Sequence, residues 1–145
     1  MNTLSTTQEF KIRFSEVDSM NVAWHGSYVL YFEDAREAFG EQFDLGYLTM
    51  YQSGYYAPLV ELNFQFKRPM VYGMKPQITI TYRPTESAKI VFDYEIRDTV
   101  DNILIATGHS VQVFMDLNYQ LVWTNPPFYE AWKERWLGDF NVISD

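Results

Sequence analysis

No cysteine occurs among the 145 residues of this chain. That absence excludes disulfides, thiolate-held zinc and thiol nucleophiles. Histidine is nearly absent as well: only His25 and His109 are present. No cluster of His, Asp and Glu supports a metal site, and no cofactor is expected. Cations are scarce, with 11 Lys and Arg against 19 Asp and Glu and a net charge of −8. Phosphate backbones are bound by clustered cations, so nucleic acid is not expected as a partner. The densest basic patch, Lys67-Arg68, suits one anionic group at most and reads equally as a solvated strand end. No stretch approaches the ~18 apolar residues of a membrane span. The segment Met1–Glu9 has neither the basic nor the apolar region of a secretion signal. These absences predict a soluble cytoplasmic protein with no membrane partner. A Gly-x-Ser-x-Gly elbow is also missing, and no carboxylate pair stands out for glycosidase chemistry.

What is present in excess is aromatic: 11 Tyr, 11 Phe and 4 Trp make up 18% of the chain. Such a surplus fits a large aromatic core or surface buried between subunits. The length suits one domain, here residues 1–145. A first strand is predicted at about Glu9 to Ser15, where Phe10, Ile12 and Phe14 alternate with polar residues. A turn follows at Asp18-Ser19-Met20-Asn21. A long helix then begins near Ser27, with Tyr28, Phe32, Ala35, Phe39 and Phe43 forming one apolar stripe and Gly46 its stop. Glu33 and Arg36, three apart, are placed for a local ion pair. Met50 to Ala57 reads as a loop. Alternation predicts strands at Val60–Lys67, Gln77–Arg83, Lys89–Arg97 and Ile103–Met115, with short turns between them suggesting an antiparallel meander. A short helix starts at Asn125-Pro126 and carries Phe128, Trp132 and Trp136 on one face. One long apolar helix and a five-stranded antiparallel sheet to cover it define an α+β domain. A hot-dog fold, in which the sheet wraps the helix, fits this order. Cystatin-like folds usually begin with the helix and fit less well.

The residues from Phe14 to Arg36 resemble the 4-hydroxybenzoyl-CoA thioesterase and YbgC-like family of hot-dog acyl-CoA thioesterases. The shared pattern runs through Ser15-Glu16-Val17-Asp18, then Trp24-His25-Gly26-Ser27-Tyr28, then Glu33-Asp34-Ala35-Arg36. Two weaker stretches follow in the same order: Ala57-Pro58-Leu59-Val60 with Phe66-Lys67-Arg68-Pro69-Met70, and Ile105-Ala106-Thr107-Gly108 leading to Asp116. The family usually carries Gly where this chain has Asn21. Asn tolerates left-handed backbone better than most residues, so the turn can persist while its side chain alters the substrate path.

The resemblance implies hydrolysis of an acyl-CoA or acyl-carrier-protein thioester. It makes Asp18 the catalytic carboxylate, acting as nucleophile or general base. The backbone N–H of His25, at the start of a helix whose first amides are free, becomes the oxyanion donor. Without the resemblance, Asp18 reads as a turn residue and His25 as a polar residue at a helix entrance. Glu16 reads as solvated, and His109 as a strand residue. Substrate contacts are assigned to Asn21, Tyr28, Tyr56 and Pro58. In hot-dog proteins the region of Tyr56 and Pro58 on the partner subunit faces the thioester. Tyr56 is equally placed for interface packing. A homodimer or homotetramer is implied. Competing readings are a non-catalytic acyl-CoA binding module and a hot-dog enoyl-CoA hydratase or dehydratase.

Overall fold

The apolar stripe of the long helix is what organises the molecule. In the computed structural model, which describes residues 4–138, α1 runs Ser27–Phe43 and α2 runs Tyr47–Gln52. The third helix, α3, runs Pro127–Leu137. Tyr28, Phe32, Ala35, Phe39 and Phe43 of α1 are all buried. The strands that receive them are β1 (Ser5–Glu9), β3 (Leu59–Phe66), β4 (Pro76–Arg83), β5 (Lys89–Asp98) and β6 (Leu104–Asp116). Two-residue strands β2 (Tyr55–Tyr56) and β7 (Leu121–Val122) pair with the far end of β6. The described sheet therefore has seven strands rather than the five expected, five of them substantial.

Neighbouring strands are antiparallel in the order β1-β4-β5-β6-β3. Ring contacts tie α1 to the middle of this sheet. Phe32 stacks on Tyr94 of β5 at 4.6 Å and meets Phe64 of β3 at 5.4 Å. Phe39 meets Phe92 of β5 at 4.9 Å. Gly108 of β6 lies directly under Phe32, where a Cβ would come within 2.8 Å of its ring. Helix α3 closes one end. Trp132 sits edge-on to Tyr82 at 5.0 Å, and its indole N–H donates to Phe43 O at 2.6 Å.

Four expectations are corrected. The first strand lies earlier than Glu9 to Ser15. Its ladder ends where Phe10 N–H donates to Pro76 O at 3.1 Å, because β4 begins at that proline and offers nothing beyond. Ile12 still reaches the core, but Phe14 is 75% exposed in a 3-10 turn at Phe14–Glu16. Second, β3 and β4 do not form a hairpin. Lys67 and Arg68 N–H both donate to Ile105 O, and Ala23 N–H donates to Met70 O. The connection therefore docks on the segment before α1, and the chain rejoins the sheet beyond β5. Third, α1 ends before Gly46: Asp44, at φ 58, supplies the left-handed stop, and Gly46 precedes α2 instead. Fourth, Tyr47–Gln52 is helical, overlapping what reads as loop. The reading of Met1–Glu9 falls partly on residues 1–3, which lie outside the described residues.

Candidate active site

The segment before α1 folds back on itself as a short two-sided arm. Val17 bridges to Ala23, Asp18 N–H donates to Val22 O at 2.9 Å, and Trp24 N–H donates to Glu16 O at 2.7 Å. The tip is closed by Asn21 N–H donating to Asp18 O at 3.0 Å, with Asn21 at φ 65. The position thus has left-handed backbone, which Asn adopts as its short polar side chain allows.

Within this arm the Asp18 carboxylate is fixed on one side only. Its Oδ1 accepts Met20 N–H at 2.8 Å and Val22 N–H at 3.3 Å. Oδ2 has no partner among the described residues and the side chain is exposed. One oxygen is held, and the other remains available as a base or nucleophile.

The arm is anchored to the helix start by Glu16. Its backbone carbonyl accepts the Ser27 hydroxyl at 3.3 Å, in addition to the Trp24 amide. Its carboxylate accepts Arg13 N–H and the Tyr31 hydroxyl, both at 2.8 Å. Glu16 is therefore a structural tie, not the solvated residue expected. Burial first, and then the Glu16 carboxylate, push the Tyr31 hydroxyl far above its ordinary pKa, so Tyr31 remains a donor. No sequence periodicity links these two residues, which is why the pair was not legible.

At the helix entrance, the backbone N–H groups of His25 and Gly26 have no hydrogen-bond acceptor among the described residues. Gly26 is the residue flanking α1, and the Trp24 ring occupies the space its Cβ would need. The His25 ring is exposed and lies 5.1 Å from the Trp24 ring. The Ser27 and Tyr28 amides are taken by Trp24 O and His25 O, so the His25 and Gly26 amides are the donors left at this helix entrance, where the dipole favours a negative oxygen. Tyr28, the second residue of α1, is buried against Phe66 at 4.8 Å and Phe64 at 6.3 Å. Its hydroxyl pKa is raised by burial.

Tyr56 occupies a different place. With Ala57, Leu59 and Gln112 it lines a cavity of about 660 Å³ whose helical wall carries Glu33, Arg36, Glu37 and Glu41. Gln112 holds the loop by donating to Ala57 O at 2.8 Å. None of Asp18, Asn21, His25 or Tyr28 lines this cavity, and Pro58 stands between two residues that do. The first helical residue of the wall, Glu33, is six positions beyond Ser27, about 9 Å along the axis. The predicted residues thus fall into two groups within one chain: Asp18, Asn21, His25 and Tyr28 near the start of α1, and Tyr56 and Pro58 at the cavity. The expected Glu33–Arg36 ion pair does not form. Arg36 turns inward, and its Nη1 donates to the Tyr94 hydroxyl at 3.1 Å.

On the opposite face of the sheet His109 is a strand residue held by carboxylates. Its Nδ1 lies 2.6 Å from Asp93 Oδ1, and Arg83 Nε donates to Asp93 Oδ2 at 2.6 Å. No group of three or more potential metal ligands occurs among the described residues. No described helix is long and apolar enough to cross a membrane.

Residues 12–133 match the thioesterase-like superfamily. The chain is 26% identical over 103 residues to the protein named "Putative acyl-CoA thioesterase YneP" of Bacillus subtilis, covering 71% of this chain and 75% of that one. A DHNA-CoA thioesterase from Staphylococcus aureus superposes with a TM-score of 0.75 at 22% identity, over 97% of this chain and 88% of its own. A hypothetical protein from Thermus thermophilus superposes with a TM-score of 0.77 at 25% identity, over 89% and 95%.

Proposed function

Because the chain belongs to the thioesterase-like superfamily, we propose that it hydrolyses the thioester bond of an acyl-CoA, or of the same acyl group on a carrier protein. The observation that carries this reading is the pairing of two features on one short arm. Among the described residues one Asp18 carboxylate oxygen has no partner, and the His25 and Gly26 amides at the helix entrance have no acceptor. The kinship with the Bacillus subtilis protein named "Putative acyl-CoA thioesterase YneP" supports the substrate class.

The chemistry requires a negative group to deliver an oxygen nucleophile and a donor for the oxygen that becomes negative. Asp18 serves in the first role. It either attacks the thioester carbon itself, giving an acyl-enzyme that water opens, or removes a proton from the attacking water. The His25 N–H serves in the second, holding the tetrahedral oxyanion, and one such donor lowers a barrier by about 3 kcal/mol. The C–S bond then breaks and the thiolate leaves as free CoA after taking a proton. Rapid-quench mass spectrometry of the protein in a single turnover separates the two routes. Direct attack by Asp18 leaves a transient acyl adduct on Asp18, whereas a general base leaves none.

In this reading the protein works as a dimer or a larger assembly. β3 pairs only with β6 among the described residues, so its outer edge is unpaired, and Val60 and Phe66 on that strand are 59% and 50% exposed. Pairing that edge across a two-fold axis satisfies the strand, and the resemblance to hot-dog thioesterases implies that the Tyr56–Pro58 loop of one subunit then faces the Asp18 arm of the other. This arrangement accounts for the separation of the two groups within one chain.

The test is thiol release from a panel of acyl-CoAs. Turnover of at least one member at micromolar enzyme is the expected result. Saturable binding without turnover across the panel would instead identify a binding module, and hydration of an enoyl-CoA would identify a hydratase.

A further inference from the structure

Arg36 has a partner that neither the arm nor the core packing requires. Glu33, three residues earlier on its own helix, lines the same cavity, and ion pairing with it would be the ordinary outcome. Instead, Arg36 makes no ion pair among the described residues, and its Nη1 donates to the Tyr94 hydroxyl at 3.1 Å. Tyr94 and Ser110 are both fully buried, and their hydroxyls lie 2.6 Å apart. With Arg36 donating to the Tyr94 oxygen, the Tyr94 O–H is free to donate to Ser110. Two hydroxyls have thus been placed in an otherwise apolar layer, where Phe and Ala would pack without polar cost. What they accomplish is to hold one guanidinium at the cavity wall. A guanidinium has five N–H donors, and one is used. The cavity it lines, about 660 Å³, is of small-ligand size.

We infer that Arg36, positioned by Tyr94 and Ser110, is a specificity residue that recognises an uncharged oxygen on the acyl group. The charge balance decides between uncharged and anionic. Glu33, Glu37 and Glu41 share the wall with Arg36, the one cation among its lining residues, while Asp44 is paired with Arg135 at 3.2 Å, so an acyl group ending in a carboxylate is repelled. A hydroxyl is not: it accepts from Arg36 and can donate to a neighbouring carboxylate. This inference rests on the thioester-hydrolase reading above, because that reading brings an acyl group to the cavity.

The experiment compares the wild type with Arg36→Met and Arg36→Lys on two matched series of CoA thioesters. One series is octanoyl, ω-hydroxyoctanoyl and ω-carboxyoctanoyl. The other is benzoyl, para-hydroxybenzoyl and para-carboxybenzoyl. In the series turned over faster, the wild type is expected to favour the hydroxylated member by about tenfold in kcat/KM, with the carboxylated member poorest. Arg36→Met should remove that preference, chiefly through KM, while the unsubstituted member stays within about twofold, and Arg36→Lys should restore part of it. An equal loss on all members would mark Arg36 as merely structural and overturn the inference, as would a wild type without preference. If the wild type hydrolyses none of them, the hydrolase reading fails. Calorimetric affinities for the corresponding non-hydrolysable thioethers then decide this inference separately: the same order, lost in Arg36→Met, upholds it, and no order refutes it.

Discussion

Gly108→Ala is the most direct probe of how closely α1 is seated on the sheet. A Cβ at residue 108 would lie 2.8 Å and 2.9 Å from the Phe32 ring and 3.3 Å from Tyr94. Carbon atoms pack at about 3.5–4.0 Å, so the ring must retreat by roughly 0.7 Å. Phe32 has little room to do so. It is completely buried and held between Tyr94 and Phe64. Overpacking of this kind costs about 1–3 kcal/mol. Gly108 is not among the positive-φ glycines, so alanine suffers no backbone strain and returns about 0.4–1 kcal/mol through the unfolded chain. The net expectation is a loss of about 0.5–2 kcal/mol, a fall of a few degrees in Tm. Urea denaturation at fixed protein concentration measures it. Phe32→Leu in the same chain shortens the opposing side chain, and a double-mutant cycle should give a favourable coupling of about 0.5 kcal/mol or more. A neutral Gly108→Ala, or additive effects in the cycle, would refute the close seating.

Other perturbations address the arm, the outer face and the edge. Asn21→Ala should destabilise by about 1 kcal/mol, because alanine is unfavourable at φ 65, whereas Asn21→Gly should be tolerated in urea denaturation. At Asp93, burial by itself would raise the carboxyl pKa, but hydrogen bonds from His109 and Arg83 outweigh it and hold it below the ordinary 3.8. A depressed folded-state pKa contributes stability above the unfolded value and loses it as pH falls through the folded one. Below about pH 4 the wild type should therefore lose stability more steeply than Asp93→Asn, as followed by thermal melts across pH 2–6. Lys at both Val60 and Phe66 should convert a dimer to monomers in sedimentation velocity. A wild type that is already monomeric would remove the β3 pairing.

The fold was readable where one face of an element is buried and the other is not. The α1 stripe, the strands β4 to β6 and α3 show this contrast, β3 only faintly through half-buried Leu62 and Phe64, and each lies within a few residues of its predicted position. Readability failed where alternation had another cause. Phe10, Ile12 and Phe14 alternate like a strand, yet the sheet offers no partner beyond Pro76. Strand length and alternation also leave strand order undetermined. β3 joins β6 because hydrogen bonds from residues 67 and 68 to Ile105, and from Ala23 to Met70, steer the connection. At the site, Asp18, Asn21 and His25 stood out through their ordered motif. Glu16–Tyr31 and Arg36–Tyr94–Ser110 did not, because each joins residues far apart in the chain that only tertiary packing brings together.

The central claim is that the Asp18 carboxylate drives thioester cleavage. It is tested most directly by single-turnover thiol release with the wild type and Asp18→Asn on the best acyl-CoA of the panel. Asn keeps the side-chain oxygen that accepts the Met20 and Val22 amides, so the arm should remain folded, as amide exchange and thermal melting can verify. The expected result is an unchanged fold, retained acyl-CoA binding and a rate lowered by about a hundredfold or more. An Asp18→Asn protein that cleaves at the wild-type rate would contradict the account.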